Sequence, residues 1–360
     1  MKKFSLILTL ALILSMLAGC AGTPVVYYSN CTCPASGEAV PTVPQNPTEP
    51  PVVTEGALKL GLYIGTGIGE SKSAGDEKGE AKYDVTIVAV LVDDNGVIAD
   101  CIIDGIAGSV VFDATGSIVT DLTAPVQTKN ELGENYGMKA WGGAIAEWDE
   151  QAAALASFAV GKTVEELRNG AIDENTGKAP EGSDLASSAT IYLGGYVTAI
   201  ENAVANAQHL GAQSGDELKL AVIASVGSSK SADAEAAGNA QLDVDVTALT
   251  VGGDIITSCF IDSVQAKVAF DAAGVITSDL TAPVQTKNEL GENYGMKAWG
   301  GASAEWNEQA ASFAAYVTGK TAAEVAGIAV SEGKPSDTDL AASVTIAIGG
   351  FQALIAKALQ

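Results

Sequence analysis

The hydrophobic pattern opens with a mostly apolar, uncharged run, Phe4 to Leu17, behind Lys2 and Lys3. A charged start followed by a short apolar stretch has the shape of an export leader and is too short for a stable membrane span. From Ala21 to Glu55 the chain holds seven of its eleven prolines, including Pro47, Pro50 and Pro51. That density predicts an extended, semi-rigid tether of roughly 3.1 Å per residue, able to hold a folded body up to ~100 Å from its anchor.

Beyond the tether the pattern becomes that of strands and then of helices. Val85 to Val92 (VTIVAVLV) reads as a strand, Asp93-Asp94-Asn95-Gly96 as a hairpin turn and Val97 to Ile103 as the returning strand. Gly252-Gly253 occupies the corresponding turn further on. Short strands are expected at Ser109 to Phe112 and Lys267 to Phe270, before turns at Ala114-Thr115-Gly116 and Ala272-Ala273-Gly274. A helix follows from about Ala144 to Val160, because Trp148, Ala152, Leu155 and Ala159 share a face at helical periodicity. Gly161 is expected to end it, and Thr163 with Glu166 to open the next as a capping box; Gly319, Thr321 and Glu324 repeat the arrangement. Final helices are expected over Ile191 to Ala207 and Ile346 to Leu359.

The pattern repeats because the sequence does. Asp121 to Ala144 (DLTAPVQTKNELGENYGMKAWGGA) recurs unchanged at Asp279 to Ala302, an offset of 279 − 121 = 158 residues. Looser matches surround it, such as Cys101-Ile102-Ile103-Asp104 with Cys259-Phe260-Ile261-Asp262. Each copy has the size of a domain rather than of a solenoid repeat. The expected organisation is a leader over 1–19, a tether over 20–56, one repeat over 57–211 and a second over 217–360. The short junction near Ala212 to Asp216 favours close domains. The fold class read from this is α+β: two tandem repeats, each a small antiparallel sheet followed by packed helices.

Composition removes most familiar chemistry. The chain is 47% hydrophobic and 18% charged, which describes a packed protein. Its 44 acidic and 19 basic residues leave a net charge of −25, which repels phosphate backbones and sets nucleic-acid binding aside. One histidine (His209) and one arginine (Arg168) leave nothing for a multi-histidine metal site, an arginine phosphate clamp or a histidine triad in each repeat. Gly161-Lys162-Thr163 is not a phosphate loop, since Ala156 and Ala314 stand where its first glycine belongs. Gly65-Thr66-Gly67-Ile68-Gly69 lacks the last glycine of a dinucleotide fingerprint, Glu70 standing in its place. Cys31 and Cys33 have no other ligand cluster in the tether, and Cys101 and Cys259 read as buried free thiols on apolar strands.

Two stretches carry candidate chemistry. Leu17-Ala18-Gly19-Cys20 resembles the lipobox of bacterial lipoproteins, in which the Cys20 thiol would carry diacylglycerol. Asp184-Leu185-Ala186-Ser187-Ser188-Ala189-Thr190 and Asp339-Leu340-Ala341-Ala342-Ser343-Val344-Thr345 resemble the flavinylation motif of FMN-binding domains. With both repeats and the lipobox, the chain is similar to the tandem FMN-binding-domain lipoproteins of Gram-positive extracellular electron transfer, also described as pheromone-precursor lipoproteins. Ser188 and Ser343 depart from that pattern where glycine is usual, and Ala342 and Val344 depart further in the second copy.

The resemblance implies FMN esterified by a separate flavin transferase to Thr190 and Thr345, with Asp184, Ser187, Ser188 and Ala189, and Asp339 and Ser343, as neighbouring motif positions. It implies a non-enzymatic electron carrier, lipid-anchored on the outer face of the membrane, between a membrane-side donor and an extracellular acceptor. A threonine hydroxyl is a poor nucleophile without an activating partner, which agrees with chemistry supplied from outside. In the duplicated block, Asn130, Asn135, Tyr136, Met138 and Trp141, matched by Asn288, Asn293, Tyr294, Met296 and Trp299, supply rings and amides suited to an isoalloxazine. Trp148 and Trp306 read as core residues. The competing readings are a binding or signalling lipoprotein whose leader yields a pheromone-like octapeptide (Leu12 to Gly19) and a secreted hydrolase using paired carboxylates.

Overall fold

Two three-stranded antiparallel sheets form the centre of the protein in the computed structural model, which describes residues 56–360. The leader at 1–19, Cys20, and the tether with Cys31 and Cys33 up to residue 55 lie outside the described residues. The first sheet has the order β1 (Lys59–Gly67), β2 (Gly79–Val92), β3 (Ile98–Phe112), and the second the order β4 (Glu217–Ser225), β5 (Gly238–Gly252), β6 (Ile255–Phe270). Asp93 closes the β2–β3 hairpin by accepting from the N–H groups of Asn95 and Val97, both at 2.8 Å, while Gly96 takes φ +81°. The fold is α+β.

Each sheet is followed by its helices. In the first half these are α1 (Lys129–Leu132), a 3₁₀ turn (Gly133–Tyr136), α2 (Met138–Gly142), α3 (Trp148–Ala159), α4 (Val164–Ala171), α5 (Asp184–Ser188) and α6 (Gly194–Ala205). The second half runs α7 (Lys287–Leu290), a 3₁₀ turn (Gly291–Tyr294), α8 (Met296–Gly300), α9 (Trp306–Val317), α10 (Ala322–Ala326), a two-stranded ribbon β7–β8 (Val330–Ser331, Lys334–Pro335), α11 (Thr338–Ser343) and α12 (Gly349–Ala358). The capping boxes Thr163–Glu166 and Thr321–Glu324 both form.

Burial on both faces explains the unbroken apolar run on β2. Val85, Ile87, Ala89 and Leu91 point into a core shared with the second sheet, whereas Val88, Val90 and Val92 point to the helical layer. On β5, Val244, Val246 and Ala248 enter the shared core and Leu249 and Val251 face α9 and α12. The layers are therefore helices, sheet, sheet, helices. Phe112 and Phe270 stack in the middle with centroids 4.0 Å apart and planes within 1°.

Contacts across the middle come in reciprocal pairs. Ala74 N–H donates to the Gly274 carbonyl and Ala232 N–H to the Gly116 carbonyl, both at 2.8 Å. Ile118 N–H reaches Ser231 Oγ at 2.9 Å, and Ile276 N–H reaches Ser73 Oγ at 3.0 Å. Gly116 and Gly274 allow this approach: each has positive φ, and a Cβ would fall 2.7 and 2.6 Å from Ala232 and Ala74. Among the described residues no helix is long and apolar enough to cross a membrane.

Candidate functional site

The duplicated segment is built onto the last strand of each sheet. Thr128 caps α1 in a capping box with Glu131. Asn130 fastens that helix to β3, donating its amide to the Ile103 carbonyl at 3.0 Å and its backbone N–H to Asp104 Oδ1 at 3.1 Å. Asn288 repeats both bonds, to the Ile261 carbonyl and to Asp262, at 3.0 and 3.1 Å. Their amides serve the fold, so they are anchors of the segment. Burial pushes the carboxyls of Asp104 and Asp262 up to about 6, against hydrogen bonds that favour the charged form.

The chain then turns through Gly137 into α2, whose first N–H groups, on Met138 and Lys139, donate to the buried Glu147 carboxylate at 2.8 and 3.0 Å. Glu305 holds Met296 and Lys297 at the same distances. Glu147 also caps α3, so the segment and α3 meet at one helix end. Tyr136 and Met138 pack against the helix–sheet core, as do Tyr294 and Met296. Trp141 and Trp299 do not: they are 89% and 90% exposed. Asn135 is exposed and Asn293 lines a cavity. Trp148 and Trp306 are buried.

One turn into α3, buried Gln151 gathers the motif threonine. Its Oε1 accepts from the Thr190 N–H at 2.8 Å, the Ile191 N–H at 3.1 Å and the Thr190 hydroxyl at 3.3 Å, while its amide donates to the Ala146 carbonyl at 2.9 Å. Gln309 does the same for Thr345 and Ile346, at 2.8, 3.2 and 3.2 Å, and bonds the Ala304 carbonyl at 2.9 Å. Both threonines are exposed although their partner is fully buried. Neither lies in a helix. The final helices begin at Gly194 and Gly349 rather than Ile191 and Ile346, because the N–H groups just after each threonine are bonded to glutamine and not to a helix.

The rest of the motif forms α5 and α11. Ser183 caps α5, Ser187 Oγ donates to the Asp184 carbonyl at 2.6 Å, and Ser188 is exposed. Asp337 caps α11, and Ser343 Oγ donates to the Leu340 carbonyl at 3.3 Å. The carboxylates of Asp184 and Asp339 are exposed. Ala189 and Val344 are buried in equivalent places, so alanine and valine are alternative fillings of one core position.

A cavity of about 550 Å³ lies on the outer face of the first sheet, lined by the carboxylates Glu70, Glu80 and Asp84, the amines Lys82 and Lys129, and the rings of Tyr83 and Tyr136 among others. A cavity of about 250 Å³ occupies the corresponding place on the second sheet, with Tyr294, Lys287, Asn293, Gln265 and Lys267. The Lys129 amine lies 4.9 Å from the Trp148 ring centroid and 5.6 Å from that of Tyr136; Lys287 lies 4.7 and 5.4 Å from Trp306 and Tyr294. Trp148 and Gln151 are three residues apart on α3, so they share a helix face. Lys129 thus reaches Trp148 at the start of α3, and Gln151 holds Thr190 from the next turn; Lys287, Trp306, Gln309 and Thr345 repeat this on α9, with neither threonine in the lining of its cavity. A hydroxyl on an exposed threonine, an aromatic rim and a cation fit a covalently held, flat, polar-edged ring such as the isoalloxazine of FMN. Gln151 and Gln309 carry no motif that would single them out in the sequence, and Lys129 and Lys287 stand out there only as members of the duplicated block.

Among the described residues, no group of three His, Cys, Asp or Glu side chains could hold a metal ion. Cys101 and Cys259 are buried free thiols, pushed upward by burial, Cys259 to about 12. Comparison with protein-family models, curated proteins and solved structures returns no match for this chain.

Proposed function

We propose that this protein is a surface-anchored electron carrier built from two FMN-binding-like repeats, with FMN esterified to Thr190 and Thr345. The observation that carries the reading is the paired presentation of the threonines. In each half an exposed threonine sits on a link whose backbone is pinned by a buried glutamine, which also accepts from its hydroxyl. A positioned hydroxyl on an exposed threonine suits modification by an external flavin transferase, since its hydrogen-bond partner is a glutamine, with no histidine or cysteine to activate it. Bound FMN would supply the electron-accepting ring. The chain's own part is to hold the attachment oxygen, through Gln151 and Gln309, and to offer the ring the Tyr136 and Tyr294 rims.

Lipidation at Cys20 would keep the carrier on the outer face of the cell membrane, where covalent attachment prevents loss of the cofactor. Its partners would be a membrane-side donor and an extracellular acceptor. The test is the intact mass of mature protein co-expressed with an active flavin transferase, with in-gel flavin fluorescence. Two FMN-sized adducts are expected, with Thr190→Ala and Thr345→Ala each removing one. An unmodified wild-type mass overturns the reading.

A further inference from the structure

The two cavities share an unusual electrostatic feature. In a chain with 44 acidic residues, an inward-pointing lysine would be expected to find a close carboxylate. Lys129, buried to 6% exposure, has as its one ion-pair partner among the described residues Asp84, at 3.4 Å, and the Asp84 side chain is itself 75% exposed. The Lys287 amine has no hydrogen bond or ion pair among the described residues; two aromatic rings are its close neighbours. Each ammonium carries three donors, so most of this capacity is unused and lines a cavity.

Gly105 on β3 lies under the Lys129 stem; a Cβ there would meet the Val85 carbonyl at 2.8 Å and the lysine Cδ at 3.4 Å, an ordinary contact. Ser263 stands at the matching position of β6 and donates to Asp245 at 2.6 Å, and Lys287 above it is less deeply buried. A buried cation is costly unless an anion or an electron-rich group answers it. The rings supply part of that answer through their π faces. The cavity leaves the remaining direction open to a ligand.

We infer that Lys129 and Lys287 are the cations that face the flavin ring of each repeat and make its reduction easier. The inference rests on the flavin reading and adds residues to it. An oxidised isoalloxazine that takes two electrons and one proton carries a net negative charge, and an ammonium beside the ring stabilises that form over the neutral oxidised ring. The electrons come from the membrane-side donor, or from dithionite in the experiment. The sites are also unequal. Burial and a phenylalanine-free ring pair surround both amines, but Asp243, Asp245 and Asp262 face Lys287 where Asp84 and Tyr196 face Lys129.

The experiment uses full-length protein co-expressed with the transferase, in a Thr345→Ala background to read the first site and a Thr190→Ala background to read the second. Intact mass comes first: absence of the remaining adduct defeats the flavin reading itself. On loaded protein, reduction is titrated with dithionite against a reference dye. Lys129→Met and Lys287→Met are each expected to lower the reduction equilibrium constant of their own site at least tenfold, ~30 mV for a two-electron couple. Lys129→Arg and Lys287→Arg, which keep the charge, are expected to stay near the unsubstituted value. Should Lys129→Met not fold, the less buried Lys287 decides. Loaded Lys287→Met with an unchanged constant overturns the inference.

Discussion

Asp104 and Asp262 show how one buried residue sets a pH dependence. Both carboxyls titrate near 6 in the folded protein, above the ordinary aspartate range, because burial penalises the charge. The folded state therefore holds more protons than the unfolded state between about pH 4 and 6, and stability falls as pH rises through that window. Asp104→Asn removes the titration. It should be nearly neutral at pH 4 and gain roughly 3 kcal/mol relative to the parent at pH 7.5, read by urea denaturation at both values; an unchanged pH slope would contradict this. At this scale the sequence was uneven. Thr190 and Thr345 stood out because their neighbours form a motif. Gln151 resembles any polar interruption of an alanine-rich helix, and Lys129 any solvated charge, since burial belongs to the fold and not to the residue.

Between elements, Gln151 and Gln309 do the joining: each ties the link after α5 or α11 to the first turn of α3 or α9. Gln151→Ala leaves two backbone N–H groups without their acceptor, at a cost of about 1–3 kcal/mol. The expected result is a lower melting temperature and faster amide exchange at Thr190 and Ile191; under the proposed function, flavin loading would also slow at Thr190 and stay unchanged at Thr345. Equal exchange in variant and parent would remove Gln151 from this role. Helix caps were legible, since Thr163–Glu166 and Thr321–Glu324 are local hydrogen-bond patterns. Strand lengths were less so: Gly105 and Gly108 interrupt the apolar pattern, yet β3 runs unbroken from Ile98 to Phe112 because β2 pairs along it. The final helices start late for the reason found in the link itself, where a side chain from another element takes the N–H groups.

For the whole molecule the decisive feature is the core shared by the two sheets. Phe112→Ala or Phe270→Ala deletes one ring of a buried stacked pair and should cost about 3–5 kcal/mol. Because the sheets share that core, calorimetry should show one unfolding transition that shifts as a unit; two separated transitions would mean that the halves unfold independently. The sequence by itself determined the strand-then-helix order, the caps, the hairpin turns and the paired threonine motifs, all of which depend on neighbours within a few residues. Only the tertiary structure decided that both faces of each sheet are covered, that a glutamine far along the chain holds each threonine, and that two lysines turn inward over aromatic rings. These depend on which surfaces meet, and apolar burial is non-directional: a run such as Val85 to Val92 requires cover on both sides without naming what provides it.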